Sequence, residues 1–146
     1  MANLSKDLNT TFKSEHQKAL ANIKYTSNWL SKIFDSKFKN FDITTQQYNI
    51  LRILKGAKTA IKVSTVKSRM VEKSPNTTRL MDKLFDKTLI NRFRKKDDRR
   101  SVYVEITKKG LNLINKINVN DARLNLEMLT KQEIEILNKL LNKIRG

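Results

Sequence analysis

The chain has 146 residues, with 31 Lys and Arg against 14 Asp and Glu, a net charge of +17. That length suits one domain able to bury a sizeable core. The charge favours a polyanionic partner, nucleic acid first and an anionic membrane surface as the rival. No cysteine is present, which excludes disulfides, thiolate metal sites and cysteine redox sensing; a lone histidine, His16, excludes a multi-histidine zinc site. No apolar run reaches the roughly 18 residues of a membrane span, and the N-terminus lacks an apolar signal core, so a cytoplasmic protein is expected. Three glycines and one proline allow few tight turns and point to a mostly helical chain.

From Ser5 to Phe38 the sequence reads as helix, with an irregular point near Thr26-Ser27-Asn28. Leu8, Phe12, His16, Ala19, Leu20, Ile23, Leu30, Ile33, Phe34 and Phe38 recur every three or four residues. Such a helix spans roughly 50 Å, longer than a domain of this size needs. One end is therefore expected to meet a second copy of the chain. On that stripe His16 reads as an interface histidine rather than a ligand. Tyr25 and Trp29, four apart, either line a pocket or serve as ordinary core or interface aromatics.

Thr44 and Gln47 form a capping box at the head of a helix ending near Gly56, with Tyr48, Leu51 and Leu54 on its apolar face. Ala60-Ile61-Lys62-Val63 reads as a short strand. Val63, Val66 and Met70 suggest a helix from Ser64 to Val71. Lys62, Ser64, Lys67 and Arg69, in and just before this helix, either approach a nucleic-acid backbone or are ordinary surface side chains. Ser74 as N-cap and Pro75 in the first turn open the next helix, with Thr77, Leu80, Met81, Leu84 and Phe85 inward. Asn76, Thr78, Arg79, Asp82 and Lys83 are left on the outer face. The period then changes to two: Leu89–Arg94 and Ser101–Ile106 read as strands joined across 95–100. From Arg92 to Arg100 six side chains are basic and two acidic. Thr107 caps a helix whose stripe of Leu111, Ile114, Ile117, Leu124 and Met128 runs to Leu129. Thr130 and Glu133 form a second capping box, opening a terminal helix with Ile134, Leu137, Leu140, Leu141 and Ile144 on one face.

A helix with a polar, basic outer face followed by a charged ribbon matches double-stranded DNA: the helix fits the major groove and the ribbon tip reaches neighbouring phosphates or the minor groove. The motifs S-P-N-T-T-R-L-M-D-K-L, L-I-N-R, D-D-R-R and I-T-K-K-G, preceded by I-T-T-Q-Q-Y-N-I-L-R-I-L, resemble the MarR family of winged-helix transcription regulators over Ile43–Gly110. One departure is plain. The family usually has Gly between the recognition helix and the next strand, and here Thr88 stands there.

The expected fold is mainly α with a small β-hairpin wing: one domain over 1–146, with a winged helix-turn-helix block at 41–110 and dimerisation helices at 1–40 and 111–146. The buried surface between copies should be on the order of 2,000 Å² or more. Asn76, Thr78 and Arg79 of the recognition helix, 75–87, are candidates for base edges, and Lys83 and Lys67 for phosphates. Arg99 and Arg100 of the wing, 92–104, are candidates for DNA contact, with Arg100 in the minor groove. By resemblance, Asp98 would orient Arg100, and the chain would be a homodimeric repressor released by a small aromatic effector bound where the dimerisation helices meet the winged-helix block; Tyr25 and Trp29 are the candidates for that pocket. The rival reading is an architectural protein that coats DNA without reading bases. No cofactor is implied, and no Cys–His, Ser–His–Asp, Gly-rich phosphate loop or histidine metal spacing supports an enzyme.

Overall fold

In the computed structural model, which describes residues 3–72, 76–117 and 126–146, side-chain caps set most helix starts. Asn3 accepts from Ser5 N–H at the head of α1 (Leu4–Asp7), and Ser14 accepts from Gln17 N–H at the head of α2 (Glu15–Lys39). Both expected capping boxes form: Thr44 with Gln47 at α3 (Thr45–Ala57), and Thr130 with Glu133 at α7 (Lys131–Arg145). Each gives partners to backbone N–H groups that a first helical turn leaves unpaired. Between them lie β1 (Ile61–Lys62), α4 (Val63–Arg69), α5 (Thr77–Asp86), β2 (Ile90–Lys95), β3 (Asp98–Ile106) and α6 (Lys108–Lys116).

The three strands form an antiparallel sheet in the order β1-β3-β2. Ile61 faces Val104 and Lys62 faces Tyr103 on one side of β3; Ile90 faces Ile106 and Phe93 faces Tyr103 on the other. The core is a single cluster built from the C-terminal end of α2, helices α3 to α6 and the sheet. Phe38, Ile50, Leu51, Leu54, Val66, Met81, Leu84, Ile90 and Val104 are almost wholly buried. Phe38 stacks on Tyr48 at 4.4 Å between ring centroids and on Phe34 at 5.8 Å. No side chain of α7 is buried, and α2 leaves Leu20, Ile23, Tyr25 and Trp29 exposed.

Two backbone hydrogen bonds close the C-terminal end of α5. Leu89 N–H donates to Leu84 O (2.9 Å) and Thr88 N–H to Phe85 O (2.8 Å), the two bonds of a Schellman motif. Thr88 occupies the left-handed position at φ +59° that the motif demands. Close by, α6 approaches so tightly that a Cβ on Gly110 would overlap the Leu89 carbonyl oxygen and lie 2.8 Å from Ile106 Cγ1.

Several sequence expectations are corrected. The single helix from Ser5 to Phe38 is two, broken across 8–14, where Asn9 takes φ +46°; residues 26–28 are continuous helix. There the polar side chains bond along the helix, Thr26 Oγ1 to Asn22 Oδ1 and Ser31 Oγ to Ser27 O, a pattern that shares a helix carbonyl without breaking the helix. β3 begins at Asp98, leaving a two-residue connection rather than 95–100. The helix after Thr107 stops at Lys116, where Ile117 turns extended, and Met128 is 80% exposed in a separate 3-10 turn, Leu126–Met128. Phe85 is 48% exposed because Thr77, Met81 and Leu84 hold the centre of the buried face. Ser74, Pro75 and Leu124 lie outside the described residues.

Candidate nucleic-acid interface

Helix α5 has two chemically distinct faces. Thr77, Met81 and Leu84 seal one against the core, and Asn76, Thr78, Arg79 and Lys83 stand exposed on the other. Thr78, Arg79 and Lys83 have no side-chain partner among the described residues. The sequence-predicted residues of this helix therefore share one outer face. Lys67 is exposed on α4, also without a partner among the described residues. The α4–α5 connection is tied to α3: Val71 N–H donates to Asn49 Oδ1 (3.2 Å), and Gln46 Nε2 to Glu72 Oε2 (3.0 Å).

Asp82, on the flank of α5, forms an ion pair with Arg92 of β2, joining the helix to the root of the ribbon. At the tip the ladder is irregular. Phe93 pairs with Tyr103 but Lys95 pairs with Asp98, so Arg94 alone stands opposite residues 99–102. A bulge of that kind removes backbone partners. The Arg94 guanidinium replaces them, donating to Arg99 O (2.6 Å) and Arg100 O (3.4 Å).

Asp98 does not pair with Arg100. Its carboxylate meets the Lys62 ammonium at 2.9 Å, accepts from Ser101 N–H at 3.1 Å and from Tyr103 OH at 3.3 Å. The cause is the sheet order: β1 lies beside β3 and sets Lys62 opposite Tyr103, within reach of Asp98. The Lys62 hydrogen bond, with that from Ser101, holds the Asp98 carboxyl well below the usual carboxylate range, and Asp98 in turn raises the Lys62 ammonium. Lys95 lies over the Tyr103 ring, 4.3 Å from its centroid. Arg99 and Arg100, with Lys96, point outward and lack side-chain partners among the described residues. Sequence reasoning missed the inward roles of Lys62, Arg92 and Arg94. No local spacing marks the first, and alternation alone cannot separate the others from outward cations.

Tyr25 and Trp29 do line a common cavity of about 570 Å³ with Leu4, Asp7 and Lys18, between α1 and α2. A second, of about 350 Å³, lies between α2, α3 and the α4–α5 turn, with Phe34, Phe38, Tyr48 and Met70 beneath Arg52 and Glu72. Burial there raises the Tyr48 phenol, against a smaller opposing effect of Arg52. His16 is exposed on α2. Among the described residues no helix is long and apolar enough to cross a membrane, and no three His, Asp or Glu side chains are placed to share a metal ion.

Charge follows this geometry. Residues 43–110 carry 18 of the 31 basic side chains and 6 of the 14 acids. Residues 32–117 match the family model described as transcriptional regulator SarA/Rot. The chain is 31% identical over 116 residues to YhbI of Bacillus subtilis (strain 168), an uncharacterised HTH-type transcriptional regulator, covering 79% of this chain and 73% of that protein. Among solved structures, a MarR variant from E. coli complexed with operator DNA superposes with TM-score 0.77 at 21% identity, covering 99% of this chain and 100% of that one. A MarR transcription factor from Planctomyces limnophilus superposes with TM-score 0.68 at 28% identity, covering 92% and 98%. The chain belongs to the SarA/Rot family of transcriptional regulators and has the MarR winged-helix fold.

Proposed function

We propose that the chain is a homodimeric, sequence-specific DNA-binding regulator that reads a pseudo-palindromic operator. Asn76, Thr78 and Arg79 meet base edges, Lys83 and Lys67 take phosphates, and Arg99 and Arg100 reach the flanking minor groove and backbone. The observation that carries this reading is the outer face of α5, where exposed polar and cationic side chains stand on a helix fixed from behind by Thr77, Met81 and Leu84. An arginine suits guanine N7 and O6, and an asparagine suits adenine. The operator complex of the similar E. coli MarR variant supports DNA as the partner. Two-fold symmetry sets half-sites about 34–36 Å apart.

The end helices, within 1–40 and 111–146, join two copies. Their exposed Leu20, Ile23, Leu137, Leu140 and Ile144 are the apolar surface that this association buries. A small aromatic effector relieves repression by favouring the dimer whose recognition helices are wrongly spaced. The Tyr25–Trp29 cavity is one site for it. The Phe34–Tyr48 cavity is the better placed, since it touches both α2 and the turn before α5.

Selection of bound genomic fragments supplies the operator, and two substitutions then test base reading. Arg79→Ala should weaken operator binding by about 1–3 kcal/mol and relax preference at one base pair. Lys83→Ala should weaken operator and random duplex alike. Equal effects of Arg79→Ala on both duplexes would favour a sequence-tolerant coat instead, as would loss of operator preference under excess random DNA.

A further inference from the structure

We propose that Lys62 is a positioning residue for the wing rather than a DNA contact, and that the wing meets DNA through Lys96, Arg99 and Arg100 alone. The inference rests on the DNA-binding reading above and divides its charges into two groups. Counting Lys62 with Arg92–Arg100, seven cations belong to the sheet and its tip. Four are engaged within the protein. Lys62 holds Asp98, Arg92 holds Asp82, Arg94 holds the Arg99 and Arg100 carbonyls, and Lys95 covers the Tyr103 ring.

Lys62 has a particular position among these. It is the N-cap residue of α4, where an ammonium has no acceptor to offer the first-turn N–H groups, and its side chain reaches the start of β3 instead. Asp98 is the first residue of β3, directly after the two-residue turn. Their contact therefore joins the start of the helix-turn-helix to the tip of the hairpin, two points 36 residues apart in sequence. The opposite carboxylate oxygen receives Ser101 N–H, and Tyr103 OH shares the Lys62 side. With the ladder interrupted between Phe93 and Lys95, backbone pairing alone leaves the tip angle loosely set. The Lys62–Asp98 contact and the Arg94 clamp set it. Arg99 and Arg100 are then presented outward without having to be ordered by the DNA.

Salt dependence separates the two groups. Each phosphate neutralised contributes about 0.9 to the slope of log K against log salt, so a substitution carried twice in a dimer removes about 1.8. Arg99→Met and Arg100→Met should each lower the operator-binding slope by about that amount. Lys62→Met should weaken binding by about two- to thirtyfold, the range of an exposed ion pair lost from both protomers, with the slope unchanged. Asp98→Asn should reproduce that loss, the double variant should be no weaker than either single one, and Lys62→Arg should restore binding. In the free protein, backbone amides of 98–101 should exchange faster in Lys62→Met, a measurement that needs no DNA. A slope in Lys62→Met reduced as far as in Arg100→Met would place Lys62 on a phosphate and overturn the proposal. Additive losses from Lys62→Met and Asp98→Asn, or unchanged exchange at 98–101, would also overturn it. A wild-type protein with no operator preference would refute base reading while the exchange result still decided the clamp.

Discussion

Replacing Thr88 by glycine should make the protein more stable, although it removes a side chain with hydrogen bonds. Thr88 sits at φ +59° in the Schellman turn after α5. A left-handed conformation disfavours an L-residue by about 1–2 kcal/mol, and glycine is free of that strain. Against this, glycine's freer unfolded chain costs about 0.5–1 kcal/mol. The lost hydroxyl donates to Lys87 O at 2.6 Å and accepts from Lys109 Nζ at 3.0 Å, but the ammonium keeps Lys87 O at 2.9 Å in an exposed setting, so that loss is small. The net expectation for Thr88→Gly is a gain of about 0.5–1 kcal/mol, or about 1–4 °C in Tm for a chain of this size. Urea and thermal unfolding at one fixed protein concentration measure it, since association shifts apparent stability by mass action. Thr88→Ala is the control: it loses the hydroxyl, keeps the strain, and should fall at or below wild type. If Thr88→Gly were no more stable than Thr88→Ala, the turn would not be strained and the reasoning would fail.

Three further expectations use other parts of the molecule. Gly110→Ala forces a methyl into the Leu89 carbonyl and should destabilise by about 1–3 kcal/mol or more in chemical denaturation; a change within experimental error would mean that α6 can shift freely from β2. Leu137→Glu with Leu140→Glu charges the exposed stripe of α7, and light scattering should show the mass halving while helix content holds. An unchanged mass would remove α7 from the proposed interface. The Asp98 carboxyl is depressed in the folded state, so its contribution to wing order is complete above the unfolded value, about 3.9, and is lost only as pH falls through the folded value. Its carboxyl carbon resonance should therefore stay in the ionised range down to pH of about 4; a midpoint near the ordinary aspartate value would show that Lys62 does not hold it.

How far the sequence could be read depended on the range of the interaction being read. Thr44 with Gln47, Thr107, and Thr130 with Glu133 act over three residues, and each caps the helix that spacing predicts. The outer face of α5 was readable for a related reason: it is the complement of a buried stripe, and Thr77, Met81 and Leu84 do face inward. Hydroxyls and amides near 26–28 misled because the same side chains serve helix and turn; only their partners, Asn22 Oδ1 and Ser27 O, decide between them. The wing lies beyond local pattern altogether. Alternation located β2 and β3, yet the early start of β3 follows from the bulge opposite Arg94. Resemblance matched Asp98 to Arg100, two residues away, while its partner came from β1, because sheet order rather than sequence distance sets which charges meet. A residue count of basic side chains thus overstates how many of this sheet's cations are without a partner inside the protein. Four of its seven cations act on the protein's own carboxylates, carbonyls and ring, and three remain to act on a ligand. Fixing the ribbon and attracting DNA are separate tasks, and this sequence uses the same residue types for both.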